Sequence, residues 1–456
     1  VTSDFKAAAE EMQARLGPAL CLAKWQQVSL HLGTGMTNSC YHPPLHKIPV
    51  ELLADNPSAL HNTPHKKQQR VFMLKNERPK ECSYCWSAEN NQQLSDRHYR
   101  SGEPWAAEYY DKIVNSTGEE DVVPSYVEVN FSNVCNLKCS YCSPQFSSQW
   151  AAEVNVHGAY PTSNRHNDPE YFTGTRRNIR HREDNPYVDA FWAWWPELYP
   201  RLQHLRLTGG EPLLDYNTYR VFEYVLALPK PDLHLDVTSN FSVDYKTFDK
   251  YIDYVQRLCK TQIEHFMQYV SLDTGVPHQA EYIRSGLNWH TLTRNVDRYL
   301  TDVPEKNSLT FIVTINNLSI VGLQDLLDYI LELRSKHSHT YQRVWFDTPL
   351  LRQPAWQSIQ TLTPAYQLKM EQVIDFMREN ESNDSFVGFR DYEIQRMERN
   401  LVWMKEPQTP ERLARDRADF YRFFNEHDRR RETDFLTTFP EMREFWSMCK
   451  YYAETE

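Results

Sequence analysis

Cys135-Asn136-Leu137-Lys138-Cys139-Ser140-Tyr141-Cys142 puts three thiols on one short loop, three and then two residues apart, with an aromatic ring just before the last. Three thiolates on one loop match a four-iron cluster that keeps one iron open for another ligand. A structural zinc ion wants a fourth protein ligand nearby, and none follows within reach of the loop. Just upstream, Val127-Glu128-Val129-Asn130-Phe131 alternates, with β-branched or aromatic residues at its apolar positions. That pattern predicts a strand running straight into the cysteine loop.

The same arrangement recurs down the chain. His204-Leu205-Arg206-Leu207 predicts a second strand, ending in Thr208-Gly209-Gly210-Glu211-Pro212. Paired glycines at a strand end let the backbone approach a ligand without a Cβ in the way, and the adjacent carboxylate can take an ammonium group. A third strand is expected over His234–Val237, ending in Thr238-Ser239-Asn240, and a fourth over Tyr269–Asp273, followed by Arg284. Phe311–Asn317 and Val344–Asp347 supply a fifth and a sixth. Helical runs lie between them, such as Leu323, Leu326, Leu327, Ile330 and Leu331 on one face. Strands alternating with helices predict a parallel α/β sheet that binds ligands at the carboxyl ends of its strands. Each polar motif stands at such an end.

Together the cysteine loop and Gly-Gly-Glu-Pro resemble the radical S-adenosylmethionine (SAM) superfamily. The resemblance implies a partial (β/α)6 barrel and a 4Fe-4S cluster on Cys135, Cys139 and Cys142. Such a cluster chelates SAM, cleaves it reductively to a 5′-deoxyadenosyl radical and so abstracts a hydrogen from a substrate. By the same resemblance Gly209, Gly210 and Glu211 hold the methionyl amine, and Ser239 and Asn240 meet the ribose or carboxylate. Ser271, Asp273 and Arg284 supply further polar contacts, with Arg284 suited to a carboxylate because its guanidinium can grip it bidentately. Tyr141 and the stretch Thr314 to Asn316 border the adenine.

A second cysteine set precedes this region. Cys21-Leu-Ala-Lys-Trp25 leads into a strand-like Val28–Leu32, then Gly33-Thr-Gly35 and Cys40, and Cys82-Ser-Tyr-Cys85 follows about forty residues later. Four thiolates close a metal shell, and spacing alone leaves zinc and iron–sulfur equally open. The resemblance favours an auxiliary iron–sulfur cluster, 2Fe-2S or 4Fe-4S, in a small α+β twitch-like domain at the N-terminus. His61 and His65 read as solvated loop residues rather than ligands. Of the two remaining cysteines, Cys259 reads as core, and Cys449 is a candidate hydrogen donor to a substrate radical.

Composition bounds the rest. The 456 residues have room for two or three domains, 40% are hydrophobic, and the formal charge of −11 disfavours nucleic-acid binding. No signal-like segment opens the sequence and no run is long enough to span a bilayer, so a cytoplasmic enzyme without a membrane partner is expected. The long connection after Cys142 carries a basic run, Arg176 to Arg182, and the aromatic run Phe191-Trp192-Ala-Trp194-Trp195. The basic run reads either as a solvated surface or as a seat for an acidic substrate, and the tryptophans read as a helix face docked on the core. Thr363-Pro364 starts a helix, another spans Leu413 to Phe424, and 406–410 separates them.

The expected organisation is therefore 1–115 as the twitch-like domain, 120–350 as the partial barrel and 351–456 as a helical cap. The expected substrate is a peptide or protein side chain, with a sugar, amino acid or nucleotide derivative as the alternative and a non-catalytic zinc protein as a remote one. An electron donor such as flavodoxin or ferredoxin is the implied partner.

Overall fold

In the strand Tyr126–Asn130, alternation buries Val127 and Val129 completely and leaves Glu128 on the opposite face. The structure, a computed structural model, describes residues 2–455, which fall into two compact units. Both combine parallel strands with helices, an α/β architecture.

The first unit comprises 1–133, 177–237 and 261–265. Gln27–His31 runs parallel to Tyr126–Asn130, which in turn runs parallel to His204–Thr208. Residues 234–237 of the next strand continue the parallel order. On the other side, Met36–Asn38 and His46–Lys47 pair antiparallel, so the N-terminal hairpin extends the parallel sheet. Glu128, Arg206 and Asp236 stand in register on three neighbouring strands. Burial pushes the Asp236 carboxyl up to about 7, against the pull of Arg206. The aromatic run forms the helix Pro186–Leu198, which buries Phe191, Trp194 and Trp195 and is capped by the Asn185 side chain. His61, expected in solvent, is fully buried, with Nε2 2.7 Å from the carbonyl of Trp25. Contacts to the Trp25 carbonyl, 36 residues away, and to Lys66 and Arg70 of the next helix hold it there, and the first of these has no local signature.

The second unit comprises 134–176, 238–260 and 266–456. Residues 268–271 pair in parallel with Leu309–Ile312, and that strand pairs in parallel with Val344–Asp347. The helix Leu323–His337 buries Leu323, Leu326, Leu327, Ile330 and Leu333 and carries Arg334, whose guanidinium lies 2.6 Å from Glu393 in a fully buried pair. Thr363 and Pro364 start the helix Pro364–Glu379, and 406–409 separates Asp391–Met404 from Pro410–Arg431. The last helix, Arg443–Thr455, docks by aromatic contacts, with Phe420 and Phe445 rings 5.0 Å apart and Phe435 and Trp446 stacked at 4.4 Å. Cys449 on this helix is fully buried, and Cys259 closes the helix Tyr245–Leu258 at the edge of the core. Among the described residues no helix is long and apolar enough to cross a membrane.

Candidate functional site

The cysteine loop belongs to the second unit and is pinned along its length. Lys138–Cys139 pairs antiparallel with Arg284–Ser285, and the Ser140 amide donates to the Ile283 carbonyl at 2.7 Å. The Cys142 amide donates to the Cys139 carbonyl at 2.9 Å, closing a tight turn that brings the second and third thiols together. Ser147 caps the next helix, Ser148–His157, while its hydroxyl donates to the Leu137 carbonyl at 2.6 Å. Asn136 donates to the Ser242 carbonyl and accepts from Asn240, at 2.7 and 2.9 Å. Lys138 pairs with the buried Glu153 at 2.7 Å, and Arg431, from the terminal arginine run, reaches the same carboxylate at 3.2 Å. Burial opposes that carboxylate's charge, but Arg431, Lys138 and the Tyr160 hydroxyl outweigh it and hold the pKa at about 2.

A charged network lies against the loop. Arg284 pairs with Asp273 at 2.9 Å, both buried, and donates to the Tyr141 hydroxyl at 2.6 Å. Tyr141 donates to the other Asp273 oxygen at 2.8 Å, and the Thr314 amide donates to Asp273 at 3.2 Å. The second guanidinium nitrogen stands 3.5 Å from Cys139 Sγ, and the Leu137 amide donates to Cys135 Sγ at 3.4 Å. Burial pushes the Cys139 thiol up, while Arg284 pulls it back toward thiolate. These donors aimed at sulfur are what a thiolate-ligated cluster requires, so the residues present fit one.

Tyr141, Cys142 and Ser143 form one wall of a polar cleft of about 830 Å³. The stretch 162–172, the loop Gln353–Trp356, and Arg412, Arg415, Asp416 and Asp419 of the helix Pro410–Arg431 complete it. Arg412 and Arg415 approach Asp416 only at 3.5 and 3.4 Å, and both remain about half-exposed.

The other expected contacts divide by what already engages them. Asn316 is fully buried, and its side chain accepts from the Leu318 and Ser319 amides, a turn cap. Ser239 accepts from the Phe241 amide, and Asn240 ties the cysteine loop to the Ser242 turn. Ser271 ends its strand half-buried.

In the first unit the Gly-Gly-Glu stretch ends a sheet strand. Gly209 has φ +140°, and a Cβ there would come within 2.7 Å of Asn130 Oδ1, so close approach to Asn130 requires glycine. Glu211 is buried, and its Oε1 accepts from the Leu213 amide at 3.0 Å, capping the turn Pro212–Leu214. Asn130 Oδ1 is buried without a hydrogen-bond partner among the described residues, an acceptor that sequence reasoning missed. Its strand-end position was the available signal.

The N-terminal cysteines also belong to the first unit, and all four line one small apolar cavity of about 30 Å³. Cys21 precedes the short helix Ala23–Gln26, and Cys40 follows the hairpin. Cys82 ends a turn and Cys85 lies in the helix Ser83–Asn90. Burial pushes the Cys40 and Cys85 thiols up to about 12. It pushes the Cys82 thiol up to about 11, while the nearby Lys24 ammonium pulls it down. Among the described residues no three His, Cys, Asp or Glu side chains form a group that could hold a metal ion.

No family model matches the chain, and no curated protein does. Among solved structures, Streptococcus suis SuiB matches at 12% identity and TM-score 0.37, over 70% of this chain and 64% of SuiB. SuiB bound to its precursor peptide SuiA matches at 11% and 0.36, over 70% and 64%. SuiB bound to S-adenosylmethionine matches at 14% and 0.37, over 75% and 66%. The matches therefore span about two thirds of SuiB's length.

Proposed function

We propose that the chain is a radical SAM enzyme that modifies a peptide or protein side chain. The observation that carries this reading is the three-cysteine loop, with donors aimed at its sulfurs and a large polar cleft beside its third cysteine. Cys135, Cys139 and Cys142 would hold a 4Fe-4S cluster, which supplies the electron that cleaves bound SAM to a 5′-deoxyadenosyl radical. Arg284 and Asp273 keep the loop charged and rigid, and Tyr141, locked between them, presents a fixed ring beside Cys142. Gly209, Gly210 and Glu211 would take the methionyl ammonium, joined by Asn130 Oδ1. The cleft, about 830 Å³, lies at the upper end of the roughly 300–1,000 Å³ of ordinary ligand pockets and has room for a peptide side chain. Its half-exposed Arg412 and Arg415 would receive a carboxylate.

Cys21, Cys40, Cys82 and Cys85 would hold the second cluster, closed by four thiolates and so unable to bind SAM. The division into a twitch-like N-terminal region, a partial barrel and a helical cap belongs to this reading, as do a cytoplasmic setting and a flavodoxin or ferredoxin donor.

The test is SAM cleavage by anaerobically reconstituted, reduced protein. Cys135→Ala/Cys139→Ala/Cys142→Ala should lose all 5′-deoxyadenosine formation while retaining iron at the N-terminal set. Cleavage by that variant at the parent's rate would sink the assignment.

A further inference from the structure

One face of the first unit's sheet carries a row of polar side chains. Ser29, Glu128, Arg206 and Asp236 stand in register on four parallel strands, so they share that face. The alternate residues Val127, Val129, Leu205, Leu207, Leu235 and Val237 fill the opposite face, none more than 1% exposed. The polar row is itself largely withdrawn from solvent, with the Glu128 side chain 14% and the Arg206 side chain 19% exposed. Asp236 is half-buried, so the row still opens to water.

The charges in this row do not balance. Two carboxylates flank one guanidinium, and Arg206 is turned to Glu128, with Nε 3.6 Å from Oε2. Asp236 makes no hydrogen bond or ion pair among the described residues. Burial pushes its carboxyl up, and the pull of Arg206 does not restore it. Glu153, contacted directly by Lys138 and Arg431, is driven the other way. Neutral groups on the same face are idle too. The Ser29 hydroxyl, beside Glu128 on a residue 3% exposed, has no hydrogen-bond partner. Gln27, two residues earlier on that strand, is fully buried with both amide atoms unpartnered. A purely structural ion-pair row would leave none of these groups unsatisfied.

We propose that Asp236 seats a cationic side chain of the substrate, a lysine ammonium or an arginine guanidinium, and so determines specificity. The inference rests on the reading of the chain as an enzyme that modifies a peptide or protein. One incoming positive charge matches the one negative charge the row leaves over, and it gives Asp236 the charge-assisted hydrogen bond it lacks. An anionic group would instead meet two carboxylates and an arginine already turned to one of them. Ser29 and Gln27 are the neutral hydrogen-bonding groups of the same face. The row lies two residues before the strand ends at Asn130 and Thr208, about 7 Å deeper along the sheet, and Gly209–Glu211 follows directly from the latter.

The experiment is anaerobic isothermal titration calorimetry on the full chain, without SAM or reductant. The probes are Nα-acetyl-lysine amide, Nα-acetyl-arginine amide and the uncharged Nα-acetyl-norleucine amide. At least one cationic probe should bind about tenfold more tightly than the norleucine probe, and the better of the two separates ammonium from guanidinium. Asp236→Asn should lose that preference, whereas Asp236→Glu, which keeps the carboxylate, should retain it. Urea unfolding is measured alongside, and Asp236→Thr is the neutral variant read should Asp236→Asn unfold earlier than the parent. Equal or undetectable binding of all three probes by the parent overturns the seat, and so does an unchanged preference in the neutral variant. Neither result bears on SAM cleavage, so the radical SAM reading stands or falls separately on 5′-deoxyadenosine formation.

Discussion

The two cysteine sites solve opposite problems. In the first unit, four sulfurs surround an apolar cavity and Lys24 is sealed in with them. In the second unit, three sulfurs share a loop whose cation, Arg284, is divided between Asp273, Tyr141 and Cys139, and whose last cysteine borders a polar cleft. The first arrangement pairs its cations with the carboxylates Glu81, Glu89 and Glu103 and leaves only about 30 Å³ of space. The second has one thiolate too few and open space beside it. Ligand count and the wall facing the sulfurs, more than the cysteines themselves, separate a site built to hold charge from one built for chemistry.

Arg284 is where the comparison breaks most easily. Arg284→Met leaves Asp273 buried and unpaired, and should cost about 3–5 kcal/mol of stability. Urea unfolding measures it, and a loss below about 1 kcal/mol would mean that the loop is not braced in this way.

A smaller effect comes from acid. The Glu153 carboxyl, held at about 2 against an ordinary 4.5, contributes stability that is present above the ordinary value and lost as pH falls toward the folded one. The contribution is on the order of 3 kcal/mol, and Glu153→Gln should flatten the acid limb of stability between about pH 5 and pH 2. Urea unfolding of iron-free protein across that range checks it, and parallel limbs for variant and parent would detach Glu153 from the loop's support.

Glu211→Ala should weaken SAM binding at least tenfold, about 1.4 kcal/mol, with iron content unchanged. Equilibrium binding and iron analysis together decide this, since a fall in iron would make Glu211 a structural cap. Smallest is Cys449→Ala. The buried thiol packs in the terminal helix, so the change should cost about 1 kcal/mol and leave SAM cleavage and product stereochemistry intact. Altered stereochemistry would restore Cys449 as a hydrogen donor.

What could be read ahead of the structure was local. The spacing of Cys135, Cys139 and Cys142, the glycine pair before Glu211, and the alternation in 127–131 are each short-range patterns, and the strands stand where those patterns put them. The helix starting at Pro364 was announced by the Thr-Pro pair at its first turn, whereas Pro410, read as the end of a linker, is itself the first residue of the helix Pro410–Arg431. The partners of the charged groups were not legible. Arg284 lies 145 residues from Cys139, and Glu81 lies 57 from Lys24, and no periodicity relates them.

The sequence by itself determined where the strands at 127–130 and 204–207 and the helix from Pro364 lie, because side-chain period and turn chemistry act over a few residues. Only the tertiary structure decided that Cys21, Cys40, Cys82 and Cys85 line one cavity, that Lys24 is buried beside them, and that Cys142 borders a cleft. Burial sets the strength of a charge and the fate of a thiol, and burial is a property of the packed chain.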